Sequence, residues 1–152
     1  MTGRARPTAQ ALLTDREVQT VALAAEGLKV ESITRRLLVS KGAVQSRLKY
    51  ARLKTGSART TALVHNAYAT GQLPKPSSER PVPLTEDQLR VLGYLSEGLT
   101  VVEMQVQVRW PEWRLRDAYA DLLAVLSATD KPAYAIKRAW AMGHLSPDEE
   151  TS

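Results

Sequence analysis

The sequence predicts an all-α fold, and three observations carry that prediction. Phe is absent, aromatic residues make up 5% of the chain and hydrophobic residues 43%, with Ala and Leu prominent, which suits small helical cores better than a β-sandwich. Apolar residues recur three and four apart, with Ser or Thr before the runs and Gly after them, the punctuation of amphipathic helices. The pattern then begins again 71 residues later, so the 152 residues read as two tandem four-helix units joined by a Pro-rich linker.

The first unit covers residues 13–73, behind a basic arm over residues 1–12 that carries Arg4 and Arg6. Thr14 stands as an N-cap, and Glu17 three residues on completes a capping box. Val18, Val21, Ala22 and Ala25 form the apolar stripe of this helix, and Gly27 ends it. A second helix buries Ile33 and Leu37, four apart, and turns Arg35 and Arg36 outward. A turn through Leu38 and Val39 leads to Ser40, again an N-cap. The next helix, over residues 41–54, points Val44 and Leu48 inward and leaves Lys41, Gln45, Ser46, Lys49 and Arg52 open. Gly56 breaks it. A last helix over residues 59–70 holds Leu63, Val64, Ala67 and Tyr68 inward or at an interface and stops at Gly71.

Two short helices meeting at a turn, the second lined with cations and amides, have the physical form of a helix-turn-helix that enters the DNA major groove. On those residues alone, a solvated bundle face accounts for the pattern equally well. The surrounding residues decide between them. With LTDREV at 13–18, EGL at 26–28 and GSARTTALVHNAYATGQL at 56–73, the segment resembles the LuxR/GerE-type DNA-binding domain. Leu13, Thr14, Arg16, Glu17, Gly27, Leu28, Ile33, Leu37, Ser40, Val44, Leu48, Lys54 and Gly56 stand where that family's pattern expects them. Glu31, Ser32, Ala43 and Thr55 depart from it, and the loop before the last helix is one residue short. The resemblance implies four helices, a recognition helix over residues 41–54 and a last helix used for dimerisation. Gln45, Ser46 and Lys49 would then face base edges. Lys41, Arg47, Arg52 and Lys54, with Arg35 and Arg36, would take phosphates. Leu63, Val64, Ala67 and Tyr68 would form the dimer interface, either between two chains or as an intramolecular pseudo-dimer of the two copies.

Residues 74–83 form the linker, within a stretch holding four Pro and two Ser, expected to be semi-rigid and without packed structure. The second unit, over residues 84–145, repeats the first. Residues 84–99 align with 13–28; Met104 falls on Ile33, Val108 on Leu37, Leu115 on Val44 and Tyr119 on Leu48. Near the end the offset is 72, placing Ile136 on Val64, Ala139 on Ala67, Trp140 on Tyr68 and Gly143 on Gly71. The core recurs, but the open face of the recognition helix does not. Lys41, Gln45, Ser46, Lys49 and Tyr50 become Glu112, Arg116, Asp117, Ala120 and Asp121. Trp110 falls on Val39 and is expected in the core. Trp113 falls on Gly42, an outward position, where a Trp beside Arg side chains suits a protein contact, although folding back onto its own unit fits equally well. Trp113, Arg116, Asp117 and Asp121 are therefore candidate partner-contact residues. An acidic tail closes the chain over residues 146–152.

The net charge of +5 is unevenly spread: residues 1–76 carry 13 Lys and Arg against 4 Asp and Glu, while residues 77–152 carry 8 against 12. A first half this basic suits a polyanion partner. There is no Cys, and His65 and His144 are far apart, so neither a disulfide frame nor a metal site is expected. No apolar run approaches the ~18 residues of a membrane helix, and the N-terminus lacks the apolar core of a secretory signal. No nucleophile with its base, carboxylate pair or phosphate-cradling Gly loop is present, so no catalytic residue, cofactor or small-molecule ligand is expected. The expectation is a bacterial, cytoplasmic, nucleoid-associated regulator that binds double-stranded DNA through its first unit. The competing expectation is a protein-interaction adaptor for a sigma factor, polymerase or other regulator, with DNA binding weak or lost.

Overall fold

A computed structural model describes residues 12–147 of the chain. Among these residues there are eight helices and no strand: α1 Asp15–Ala25, α2 Val30–Leu37, α3 Lys41–Thr55, α4 Thr60–Ala69, α5 Glu86–Ser96, α6 Val101–Val108, α7 Glu112–Val125 and α8 Pro132–Ala141. None is long and apolar enough to cross a membrane. The arm bearing Arg4 and Arg6 and the acidic residues 148–152 lie outside the described region.

Four of the eight helices, α1, α3, α5 and α6, begin at a side-chain cap. The Glu17 backbone N–H donates to Thr14 Oγ1 at 3.1 Å while the Thr14 N–H donates to Glu17 Oε1 at 2.9 Å. Thr85 and Gln88 repeat this box at α5, at 3.1 and 3.0 Å. Ser40 Oγ accepts from the Ala43 N–H at 3.0 Å, which starts α3 at Lys41. A box at α6, between Thr100 and Glu103, has no counterpart at Lys29, the equivalent residue before α2. Each such cap contributes about 1 kcal/mol. The two sharp corners also correspond: α2 ends on Leu38 at φ 58° and α6 on Arg109 at φ 59°, both left-handed and both non-glycine. A left-handed residue with a Cβ costs about 1–2 kcal/mol, and both halves retain it because the following helix must leave at this angle.

Ile33, Val44, Leu63 and Val64 are buried in the first half, and Met104, Leu115, Leu122 and Ile136 in the second. These residues belong to one continuous apolar cluster rather than two. Its continuity comes from α4 packing on α8, flanked by α1 on α8 and α4 on α5. Because α5 repeats α1 and α8 repeats α4, the last two contacts are the same contact made twice. Single residues follow the same rule. Gly27, at φ 87°, lies so close to Lys131 that a Cβ there would approach the lysine Cδ to 2.8 Å. Its repeat, Gly98 at φ 89°, lies against Arg59, which repeats Lys131, and a Cβ there would meet Ala62 Cβ at 3.1 Å. Tyr68 and its own repeat Trp140 face each other with ring centres 5.6 Å apart. Residue i meeting j while the repeat of j meets the repeat of i is the signature of a two-fold relation.

Across that seam Trp140 Nε1 donates to His65 Nδ1 at 3.0 Å, and the Lys137 ammonium pairs with Glu26. Burial, helped by the Glu26 charge, pushes the Tyr68 phenol up to about 12. Residues 74–83 differ from the expected linker without packed structure. The Glu79 N–H donates to the Ala141 carbonyl at 2.9 Å, and its carboxylate pairs with Arg138. His144 Nε2 and the Val82 carbonyl oxygen lie 2.8 Å apart, and Val82 and Leu84 pack against the cluster. Proline keeps this stretch extended, so its remaining N–H and C=O groups stay free to pair with α8 and the residues after it.

Candidate nucleic-acid interface

Helix α3 contains no carboxylate over its 15 residues. Val44, Leu48 and Ala51 face the core, and this orientation leaves Lys41, Gln45, Ser46 and Lys49 exposed. Arg47 and Arg52 are half-exposed, and Arg35 and Arg36 on α2 are exposed. At 100° per residue, Lys41, Gln45 and Arg52 share one flank of α3, next to Ser46 and Lys49, whereas Arg47 and Lys54 fall on the other. Contacts fix which flank faces which neighbour. Lys41 Nζ lies 3.7 Å from Glu31 of α2, and Lys54 Nζ lies 2.8 Å from Glu17 of α1.

Lys54 was expected to meet phosphate and instead serves the fold. Its ammonium donates to Glu17 Oε1 and, at 3.3 Å, to the Leu12 carbonyl. The same Glu17 oxygen closes the α1 capping box, and the Glu17 side chain is only 9% exposed. Burial works to raise this carboxyl. The Lys54 hydrogen bond, the Thr14 N–H and the Lys54 charge outweigh it and hold the group below its ordinary value of 4.5. Moving Lys54 to a DNA phosphate would strand a buried carboxylate. Leu63, Val64, Ala67 and Tyr68 are at most 2% exposed, beneath this chain's own α8 and cluster, so they offer no face to a second chain in this arrangement.

On α7 the cations of the equivalent face are paired with carboxylates. Arg114 grips Asp87 through two hydrogen bonds of 2.8 Å and stacks 4.1 Å from the centre of the half-buried Trp110 ring. That hydrogen-bonded pairing, more than its charge alone, lowers the Asp87 carboxyl and raises Arg114. Arg116 pairs with Glu112 at 2.8 Å, so both guanidinium groups that this helix carries face a carboxylate. Asp117 and Asp121 are exposed. Trp113 is 63% exposed rather than folded back, and Val102 and Val106 of α6 are each more than 70% exposed. The two valines were not singled out from the sequence. The signal was there: VVEMQVQV has more apolar residues than one buried face of an eight-residue helix can take.

Compared with known proteins, the chain matches no family model, no curated protein and no solved structure.

Proposed function

We propose that the chain is a sequence-specific double-stranded DNA-binding regulator of transcription, built as an intramolecular pseudo-dimer of two LuxR-like helix-turn-helix units. The first unit reads the major groove through α3, and the second stands in the place of a second reading subunit. The observation that carries this reading is the contrast between α3 and α7. One has Lys41, Gln45, Ser46 and Lys49 exposed with no carboxylate along it. The other has its arginines paired and Asp117 and Asp121 open. Gln45, Ser46 and Lys49 face base edges, while Lys41, Arg52, Arg35 and Arg36, with Arg47 at the margin, take phosphates. The two-fold relation across α4 and α8 favours the pseudo-dimer over a homodimer through Leu63, Val64, Ala67 and Tyr68. The protein acts in the cytoplasm at the nucleoid, as a binder and not a catalyst.

A salt titration of duplex binding by the full chain tests this. Neutralising about five phosphates gives a slope of log affinity against log salt of about −4.5, and a flat response removes the reading. A second reading has one observation in its favour. The exposed Trp113, with Asp117 one turn along α7, and the exposed Val102 and Val106 of α6 suit a protein partner such as a polymerase subunit, a sigma factor or another regulator. Such a contact is compatible with DNA binding by the first unit. As an adaptor alone, the chain would show the flat salt response.

A further inference from the structure

A groove of about 780 Å³ straddles the two-fold relation. Its apolar lining comes in repeated pairs: Leu28 with Leu99, Val30 with Val101 and Leu48 with Tyr119. Four cations also line it, Lys29, Lys41, Arg59 and Lys131, against the two carboxylates Glu31 and Asp130. Lys41 is 3.7 Å from Glu31, and Arg59 is bonded to Glu103 and the Gly98 carbonyl. Lys29 and Lys131 are exposed, and neither has a carboxylate within 4.0 Å among the described residues. The Lys131 stem rests on Gly27, two residues before Lys29 in the chain, and both lysines line the groove. Helices α2, α4 and α8 begin at its rim without side-chain caps, and their free N–H groups add to the same positive field.

A volume of this size, an apolar lining and a few convergent charges match a small-molecule site. A DNA backbone offers nothing apolar to cover Leu28, Leu99, Val101 and Tyr119. We infer that this groove binds an apolar organic anion, a carboxylate or sulfonate on an aromatic or medium-chain aliphatic body, and that the bound anion competes with DNA. The body lies on the leucines, valines and Tyr119, and the anionic head meets Lys29 and Lys131. Competition follows because Lys41 and Gln45 line the same groove. This part rests on the DNA reading above, and the site itself does not. By linkage, DNA weakens the anion by the same factor that the anion weakens DNA.

Anilinonaphthalene sulfonate is the probe, titrated against the folded full chain and followed by its fluorescence. It binds at one site and is displaced by decanoate at least about tenfold better than by decanol, since only the carboxylate makes charge-assisted hydrogen bonds. Charge reversal in a Lys29→Glu/Lys131→Glu double variant weakens the probe by about tenfold or more, and Lys29→Ala/Lys131→Ala weakens it less. A Val102→Ser/Val106→Ser variant leaves its affinity unchanged. Absence of binding, indifference to the charge reversal, or loss of binding in the valine variant overturns the site. With the site intact, decanoate lowers duplex affinity in the wild type and not in the charge-reversed chain. Probe binding that obeys Lys29 and Lys131 while duplex affinity ignores decanoate overturns the competition. Absence of duplex binding at any salt overturns the DNA reading instead.

Discussion

The two halves of this molecule share a skeleton and differ in what they do with charge. Their helices run 11, 8, 15 and 10 residues in the first half and 11, 8, 14 and 10 in the second. Both turn the corner between their second and third helices on a left-handed non-glycine residue, and Ile33, Val44 and Val64 are buried at the same positions as Met104, Leu115 and Ile136. Yet Glu17 and Lys54, an ion pair tying α1 to α3, become Gln88 and Val125 in the repeat. There the link between α5 and α7 passes to Asp87 and Arg114, one position away on α5 and about three turns away on α7. A pair of packed helices therefore needs some polar tie at this seam, and the fold does not specify which. On the open faces, one half leaves its cations exposed and the other pairs them with carboxylates.

The sharpest way to break the comparison is to cut the seam between the halves. Trp140→Ala removes a ring that Tyr68 and His65 contact from the first half and should cost about 3–5 kcal/mol. Urea unfolding followed by circular dichroism should remain one transition, moved as a whole. Two separate transitions, with only one displaced, would mean the halves are independent domains. The exposed Trp113→Ala should change stability by no more than about 0.5 kcal/mol.

Lys54→Met should cost about 2–3 kcal/mol, because the buried Glu17 carboxylate loses its partner. The pH dependence has a definite sign. The Glu17 carboxyl is lowered in the folded chain, so its contribution is complete above the ordinary value of 4.5 and disappears as pH falls through the lowered one. The gap between wild type and Lys54→Met should therefore narrow in acid. Converting the pair to the residues of the other half, Glu17→Gln with Lys54→Val, should cost less than Lys54→Met alone. A larger loss in the double variant would show that the seam tolerates one solution only.

On duplex DNA, Gln45→Ala and Lys49→Ala should each lose about 2 kcal/mol on the preferred site and relax its sequence preference, whereas Arg52→Ala should weaken all sequences alike. Arg116→Ala, the equivalent of Gln45 on α7, should leave affinity unchanged in a fluorescence anisotropy titration. Equal losses from both helices would make the second half a reader as well. The smallest expected effect is a gain. Leu38→Gly and Arg109→Gly should each stabilise by up to about 1 kcal/mol, because glycine takes the left-handed corner without the Cβ penalty. A gain in one half and a loss in the other would show that the corners are not equivalent.

Much of the skeleton was legible before any coordinates. Thr14 and Ser40 cap as their spacing implies, and Gly27, Gly56 and Gly71 take positive φ where the helices end. Local hydrogen bonds and the 3.6-residue period act over a few residues, so they can be read from a few residues. The exposure of Gln45, Ser46 and Lys49 followed from the same period. The fate of Lys54 did not, because its partner lies 37 positions away and a lysine on a helix flank looks alike whether it meets a carboxylate or water. The linker misled for a similar reason: its Pro content set an extended backbone, but not the surface on which that backbone would lie.

The amino-acid order by itself determined the helices, their ends, the repeat and the side of α3 that stays open, since each is a matter of period and near neighbours. Tertiary structure alone decided that the last helix of each half is covered by the other, that Lys54 is committed to Glu17, and that Lys29 and Lys131 meet at one groove. Those outcomes depend on which surfaces come together. Apolar burial has magnitude but no direction, so a stripe such as Leu63, Val64, Ala67 and Tyr68 announces that it will be covered without announcing by what.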